Sequence, residues 1–279
     1  MSGASGDDAI LFEVNDGLAH VTLNRPARLN AVDPEAIELW QSIAHEIAER
    51  DDIGAVLFDA NGRAFCAGGD VLAMSALAAG TDDAGDVIRS LADRIHDGHR
   101  TLRESTKPIV AAVQGAVAGG GLGFMLVADL VVASERATFA SRYSDIALTP
   151  DCGVSTLLPE AIGTRRALEL TLTRRALSAA EALEWGLVNE VVGPDALQNR
   201  VREIVATWLD GPTAAFGQAK RLVRSGLARG FQDALDDEAR TIGAAFQTPD
   251  ARAAVAAFAA ASVKRTDGGG ATESGTAAN

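Results

Sequence analysis

Residues Lys107–Ser134 read KPIVAAVQGAVAGGGLGFMLVADLVVAS. The apolar run Ile109–Val113 is short enough for a buried strand. Glycines follow at 115, 119, 120, 121 and 123, then an apolar helical segment over Leu122–Ala128 and a second buried strand over Leu130–Ala133. A strand that enters a helix through such a turn leaves backbone N–H groups without partners and aimed at a ligand. Glycine admits a close approach because no Cβ intervenes. Tight packing of helix on strand would use the same residues, so both readings stay open. Two phosphate cradles are excluded: Gly-Lys-Ser/Thr is absent, and the spacing misses Gly-x-Gly-x-x-Gly.

With 279 residues, 47% of them hydrophobic, the chain can bury a full core and carry an appendage. Lys and Arg number 25 against 38 Asp and Glu, a formal net charge of −13. That balance disfavours nucleic acid and anionic membranes as partners, while leaving room for a local basic pocket. Cys66 and Cys152 are the only cysteines, too few for a disulfide framework, which fits a reducing cytoplasm. No signal peptide or apolar run of transmembrane length is found. Residues 1–8 and 265–279 have the composition of disordered tails.

Ile10, Phe12 and Val14 alternate, Asn15-Asp16-Gly17 makes a turn, and Ala19, Val21 and Leu23 alternate again, a β-hairpin pattern. Arg25 and Arg28 lie in the loop after it, either as solvated charge or as phosphate contacts. Asp33-Pro34-Glu35 starts a helix whose apolar face is Ile37, Trp40, Ile43 and Ile47. Ala55–Asp59 is a strand, and Phe65-Cys66-Ala67-Gly68-Gly69-Asp70 repeats the passage from strand through glycines to a helix start. Asp70 is favoured at that start by its charge. His99 falls on the apolar stripe of the helix over Val87–Leu102 as a core histidine, and His96 stays open. Two glycine turns, at Gly68-Gly69 and Gly119–Gly121, can each offer one N–H to a single oxygen, which is the construction of an oxyanion hole.

Asn24-Arg25-Pro26 with Asn30-Ala31, Phe65–Asp70, Ala118–Gly121 and Trp185–Val192 together resemble the crotonase (enoyl-CoA hydratase/isomerase) superfamily, over about Ile10 to Lys264. The resemblance implies an α/β spiral of repeated ββα units over residues 9–195. It also implies a helical C-terminal region over 196–264 that assembles a trimer or a dimer of trimers. The ligand it implies is a coenzyme A thioester, with no other cofactor and no metal, handled by isomerase or hydratase (lyase) chemistry of fatty acid metabolism. Position by position, the oxyanion N–H groups fall on Gly69 and Gly120, and Ala67 falls where the family lays backbone against the adenine. Arg25, Arg28 and Asp70 join the substrate-binding set.

Hydratases of the family use two glutamates, and here those positions hold Gly123 and Tyr143. Glycine moves no proton, and an ordinary tyrosine is a poor base at neutral pH. Asp151, in Leu148-Thr149-Pro150-Asp151-Cys152-Gly153, is similar to the aspartate of family members that move a double bond. It is read either as the single proton carrier of an isomerase, with Tyr143 as an apolar wall, or as the cap of a helix starting near Gly153. His96 with Asp151 also matches the histidine and nucleophilic aspartate of the family's 4-chlorobenzoyl-CoA dehalogenases. A non-catalytic acyl-CoA binder is the remaining alternative.

Further on, Pro159–Leu172 reads as helix interrupted at Gly163, and Ser178-Ala179-Ala180-Glu181 as a capping box. Val188–Val192 is a strand, and four helices follow over Ala196–Leu209, Thr213–Leu227, Phe231–Phe246 and Pro249–Val263. Lys220, with Arg221 and Arg224, is a candidate contact for the 3′-phosphate of coenzyme A, or exposed charge.

Overall fold

The hairpin opens the chain as its alternation requires. Strand β1 (Ile10–Asn15) pairs antiparallel with β2 (Leu18–Leu23), and Asn15 faces Leu18 across a two-residue turn. Both turn residues, Asp16 and Gly17, are left-handed, the geometry that matches the strands' own twist. The structure is a computed structural model that describes residues 8–268, with residues 262–268 given by their backbone alone. The expected disordered tails therefore lie outside the described residues, except Asp8 and residues 265–268, which continue the last helix.

Helix α1 (Pro34–Glu49) starts where Asp33 accepts from the Ala36 N–H, and it buries Ile37, Trp40, Ile43 and Ile47. Then come β3 (Ala55–Ala60), β4 (Ala64–Cys66), α2 (Val71–Gly80) and α3 (Ala84–Glu104). The next unit is β5 (Ile109–Val113), β6 (Ala116–Ala118) and α4 (Gly120–Leu126). The third is β7 (Leu130–Ser134), β8 (Thr138–Ala140), a 3-10 turn over Tyr143–Ile146, α5 (Val154–Ile162) and α6 (Thr164–Leu172). Strand β9 (Ala176–Ser178), α7 (Ala179–Trp185) and β10 (Glu190–Val192) close the spiral.

The ββα repeat sorts its strands. In the three central units the first strand (β3, β5 or β7) joins one sheet, ordered β1-β2-β3-β5-β7-β10, and the second (β4, β6 or β8) joins another, ordered β4-β6-β8-β9. Beyond the first hairpin the large sheet is parallel, and β5 throughout and β3 as far as Phe58 read as continuous apolar runs because both faces are covered. Trp40, Phe58, Phe65 and Phe124 form the aromatic centre, with Trp40 and Phe124 ring centroids 4.7 Å apart.

Helices α8 (Leu197–Asp210), α9 (Thr213–Gly226), α10 (Phe231–Phe246) and α11 (Pro249–Gly268) follow. The compact units divide between Arg224 and Ser225, later than the boundary expected at 195/196. The reason is packing: Leu197, Val201, Val205 and Trp208 of α8 form one apolar cluster with Leu57, Val110 and Val132 of the large sheet. Among the described residues, no helix is long and apolar enough to cross a membrane.

Candidate active site

A cavity of about 520 Å³ is walled by α1, α2, α3, the two glycine turns and the segment 142–152. Ile37, Met74, Leu77, Leu91, Ile95 and Phe124 make its apolar lining. Gly69 and Gly120 both line it. The Gly69 bridge to Val32 uses the Gly68 carbonyl and the Asp70 N–H, so the Gly69 N–H points away from that pairing. Gly120 is the first residue of α4, where an N–H has no partner inside the helix. Gly119 supplies the turn with φ 54 and ψ −127, a conformation closed to side chains. The two turns abut: a Cβ on Gly68 would lie 3.2 Å from the Gly120 nitrogen. The two glycine turns thus meet at one wall of the cavity.

Asp151 is beside them. Its Oδ1 lies 3.7 Å from where a side chain on Gly120 would begin. The cap reading of Asp151 does not hold. Helix α5 has Gly153 at its N-cap with no side-chain cap bond, and the carboxylate instead accepts from the Tyr143 hydroxyl at 2.7 Å. Tyr143 is buried, and burial raises its hydroxyl far above the ordinary phenol value, with the Cys152 and Asp151 side chains beside it adding to the effect. The tyrosine is therefore a fixed donor rather than a base. Cys152 completes this corner. Burial raises its thiol well above the usual range, and the Asp151 carboxylate adds to that. Its place in this corner was hidden in the sequence, where only its adjacency to Asp151 signalled it.

Position 123, where hydratases of the family place their first glutamate, is filled from outside. A Cβ on Gly123 would lie 2.0 Å from the Cys152 carbonyl oxygen and 2.7 Å from the Cys152 Cβ. The backbone of residue 152, left-handed at φ 50, occupies the space a side chain there would need.

Ala67 and Asp70 line the same cavity. Asp70 caps α2, accepting from the N–H groups of Leu72 and Ala73. Burial opposes its charge, but those N–H groups and the Arg25 guanidinium hold its carboxyl below the usual range. Arg25 is committed within the fold: it bridges Asp33 at 2.8 Å and Asp70 at 3.2 Å, joining the caps of α1 and α2. Arg28 is exposed and has no ion pair among the described residues.

Two expected contacts are displaced. His96 is exposed on α3 and does not line the cavity, whereas its neighbour Ile95 does. The pairing of His96 with Asp151 is therefore not assembled. Lys220 is 9% exposed and turned inward, donating to the carbonyls of Leu102 and Lys107 and bridging Asp129 at 3.1 Å. Arg224 pairs with the same Asp129 at 2.9 Å. Lys220 is a structural cation rather than a phosphate contact. His99, read as a core histidine, is buried and accepts from the Trp40 indole N–H at 2.9 Å, although its Nε2 finds no partner among the described residues.

The family model described as enoyl-CoA hydratase/isomerase matches residues 13–263. The chain is 33% identical over 251 residues to the 1,2-epoxyphenylacetyl-CoA isomerase of Escherichia coli, covering 90% of this chain and 95% of that one. It is 31% identical over 246 residues to a 4-chlorobenzoyl coenzyme A dehalogenase of an Arthrobacter species, covering 88% of each. A crystal structure of an enoyl-CoA hydratase/isomerase from Cupriavidus metallidurans superposes with a TM-score of 0.80 at 32% identity, over 91% of this chain and 94% of that one. Both the order of the glycine turns and the match along the chain lead to one assignment: the protein belongs to the enoyl-CoA hydratase/isomerase family and has the crotonase fold.

Proposed function

We propose that the protein is an acyl-CoA isomerase that moves a double bond from the 3,4 to the 2,3 position, with Asp151 as its one proton carrier. The thioester oxygen sits between the N–H groups of Gly69 and Gly120. Asp151 takes a proton from C2, the electrons pass into a dienolate whose oxygen the two N–H groups stabilise, and the proton returns at C4. Atoms balance within the substrate, so no cofactor beyond its own coenzyme A takes part. The observation that carries this reading is the Asp151 carboxylate standing 3.7 Å from the side-chain direction of Gly120, while the space at Gly123 is closed. Arg28, exposed beside the loop, is the cation offered to the coenzyme A phosphates. A homotrimer or hexamer working in the cytoplasm accompanies the proposal.

The test is conversion of a 3-enoyl-CoA to the 2-enoyl-CoA, followed at the absorbance of the conjugated thioester. Asp151→Asn keeps the shape but carries no proton, and turnover is expected to fall by about 10²–10⁴-fold with little change in ester binding. Wild-type turnover in that variant would remove Asp151 from the chemistry. The relatives named as dehalogenases favour a second reading, attack by Asp151 on an aryl ring. The exposed position of His96 supports it less well, because the water-activating base is then missing from the cavity.

A further inference from the structure

Tyr143 is the single tyrosine of the chain and stands at the position of the second hydratase glutamate. Its hydroxyl donates to Asp151 Oδ1 at 2.7 Å and lies 3.3 Å from the backbone oxygen of the same residue. The 3-10 turn that carries it is bracketed by two left-handed residues, Arg142 at φ 59 and Ala147 at φ 57, which fix where the ring begins. Such conformations are kept only where the surroundings over-determine them.

We propose that Tyr143 is the positioning residue of this isomerase: it pins one oxygen of the Asp151 carboxylate so that the other is presented to the acyl carbons. The inference rests on the reading of Asp151 as proton carrier. A carboxylate turns freely about its last torsion, because the wells there are broad. One short bond to a rigid, buried phenol removes that freedom. The other charged or titratable groups around the cavity are engaged elsewhere. Arg142 pairs with Asp145, Asp33 and Asp70 with Arg25, and Arg89 of α3 faces Asp93 at 4.0 Å. Of the titratable side chains lining the cavity, only the Cys152 thiol joins Tyr143 against Asp151.

Tyr143→Phe is expected to lower kcat by roughly 10- to 100-fold and leave KM almost unchanged, since misorientation touches the transition state and not ester binding. In an Asp151→Asn background the same substitution is expected to add nothing, because it acts through that carboxylate. Replacing all tyrosine with 3-fluorotyrosine labels this one position and preserves the ring. Its fluorine resonance is expected to shift on Asp151→Asn, because the phenol then loses its carboxylate partner. Should Tyr143→Phe fail to fold, the fluorinated protein carries the test alone. An unchanged kcat in Tyr143→Phe, or a fluorine signal indifferent to Asp151→Asn, overturns the role of Tyr143 even where Asp151 proves essential. Full turnover by Asp151→Asn has a different meaning, since it removes the isomerase reading and this inference with it.

Discussion

At Gly123 the quarrel is between a side chain and a backbone. A carbonyl oxygen 2.0 Å from a would-be Cβ cannot swing away as the end of a flexible side chain does. Gly123→Ala is therefore expected to destabilise the protein by about 2 kcal/mol or more, read from urea unfolding, an overpacking cost at the upper part of the usual range. Gly123→Glu is expected to leave crotonyl-CoA hydration as slow as in the unaltered protein. Turnover at the rate of a two-glutamate hydratase in either form would show that position 123 had been misread. His99 gives a second expectation at this scale. Burial, then the charge of nearby His96, pushes its imidazole down to about 3 from an ordinary 6.5. The unfolded chain binds a proton there below pH 6.5 and the folded chain does not, so stability falls as pH drops from 6.5 towards 3. At pH 5 the loss is about 2 kcal/mol relative to pH 7.5, at 1.36 kcal/mol per unit. In His99→Gln, urea melts at the two pH values are expected to differ by about that much less.

Among the elements, α9 is held by charge as much as by apolar contact. Lys220 links it to the end of α3 and the entry of β5, and burial lowers its ammonium to about 8 against the pull of Asp129. Lys220→Ala removes a donor from the Lys107 carbonyl, leaves the Leu102 carbonyl to the Ser105 hydroxyl, and leaves Asp129 to Arg224 and the Ile109 N–H. A destabilisation of about 2–4 kcal/mol is expected, with KM for the acyl-CoA unchanged. A raised KM without loss of stability would return Lys220 to the ligand. The error in reading it was physical. Helical spacing put Lys220, Arg221 and Arg224 near one face, but spacing does not say whether that face meets water or Asp129. The glycine turns, the hairpin and the Ser178 capping box were legible because each is local: a turn conformation or a cap bond is settled by a few adjacent residues. The Tyr143–Asp151 bond and the filling of position 123 were not, since both depend on the path of segment 142–153 between β8 and α5. Three left-handed non-glycine residues, Arg142, Ala147 and Cys152, shape that path, and no pattern in the sequence announces them.

Over the whole molecule, exposed apolar side chains mark the helices after Arg224: Phe231 at 80%, Ile242 at 70% and Phe258 at 69% exposed. Surface of that kind is ordinarily covered by another chain. Light scattering at micromolar concentration is expected to give three or six times the chain mass, and Phe231→Asp combined with Ile242→Asp to give a smaller species. A monomer in the unaltered protein would end the assembly proposal. The division between Arg224 and Ser225 also bears on how the protein is made. A ribosome releases the chain from its N-terminus, and domains fold as they emerge. Every residue lining the cavity lies between Val32 and Cys152, and the cluster that seats α8 is complete at Trp208. The residues that line the pocket and seat α8 thus all leave the ribosome ahead of α10 and α11, so the newborn chain presents its cavity before the surface through which copies would meet.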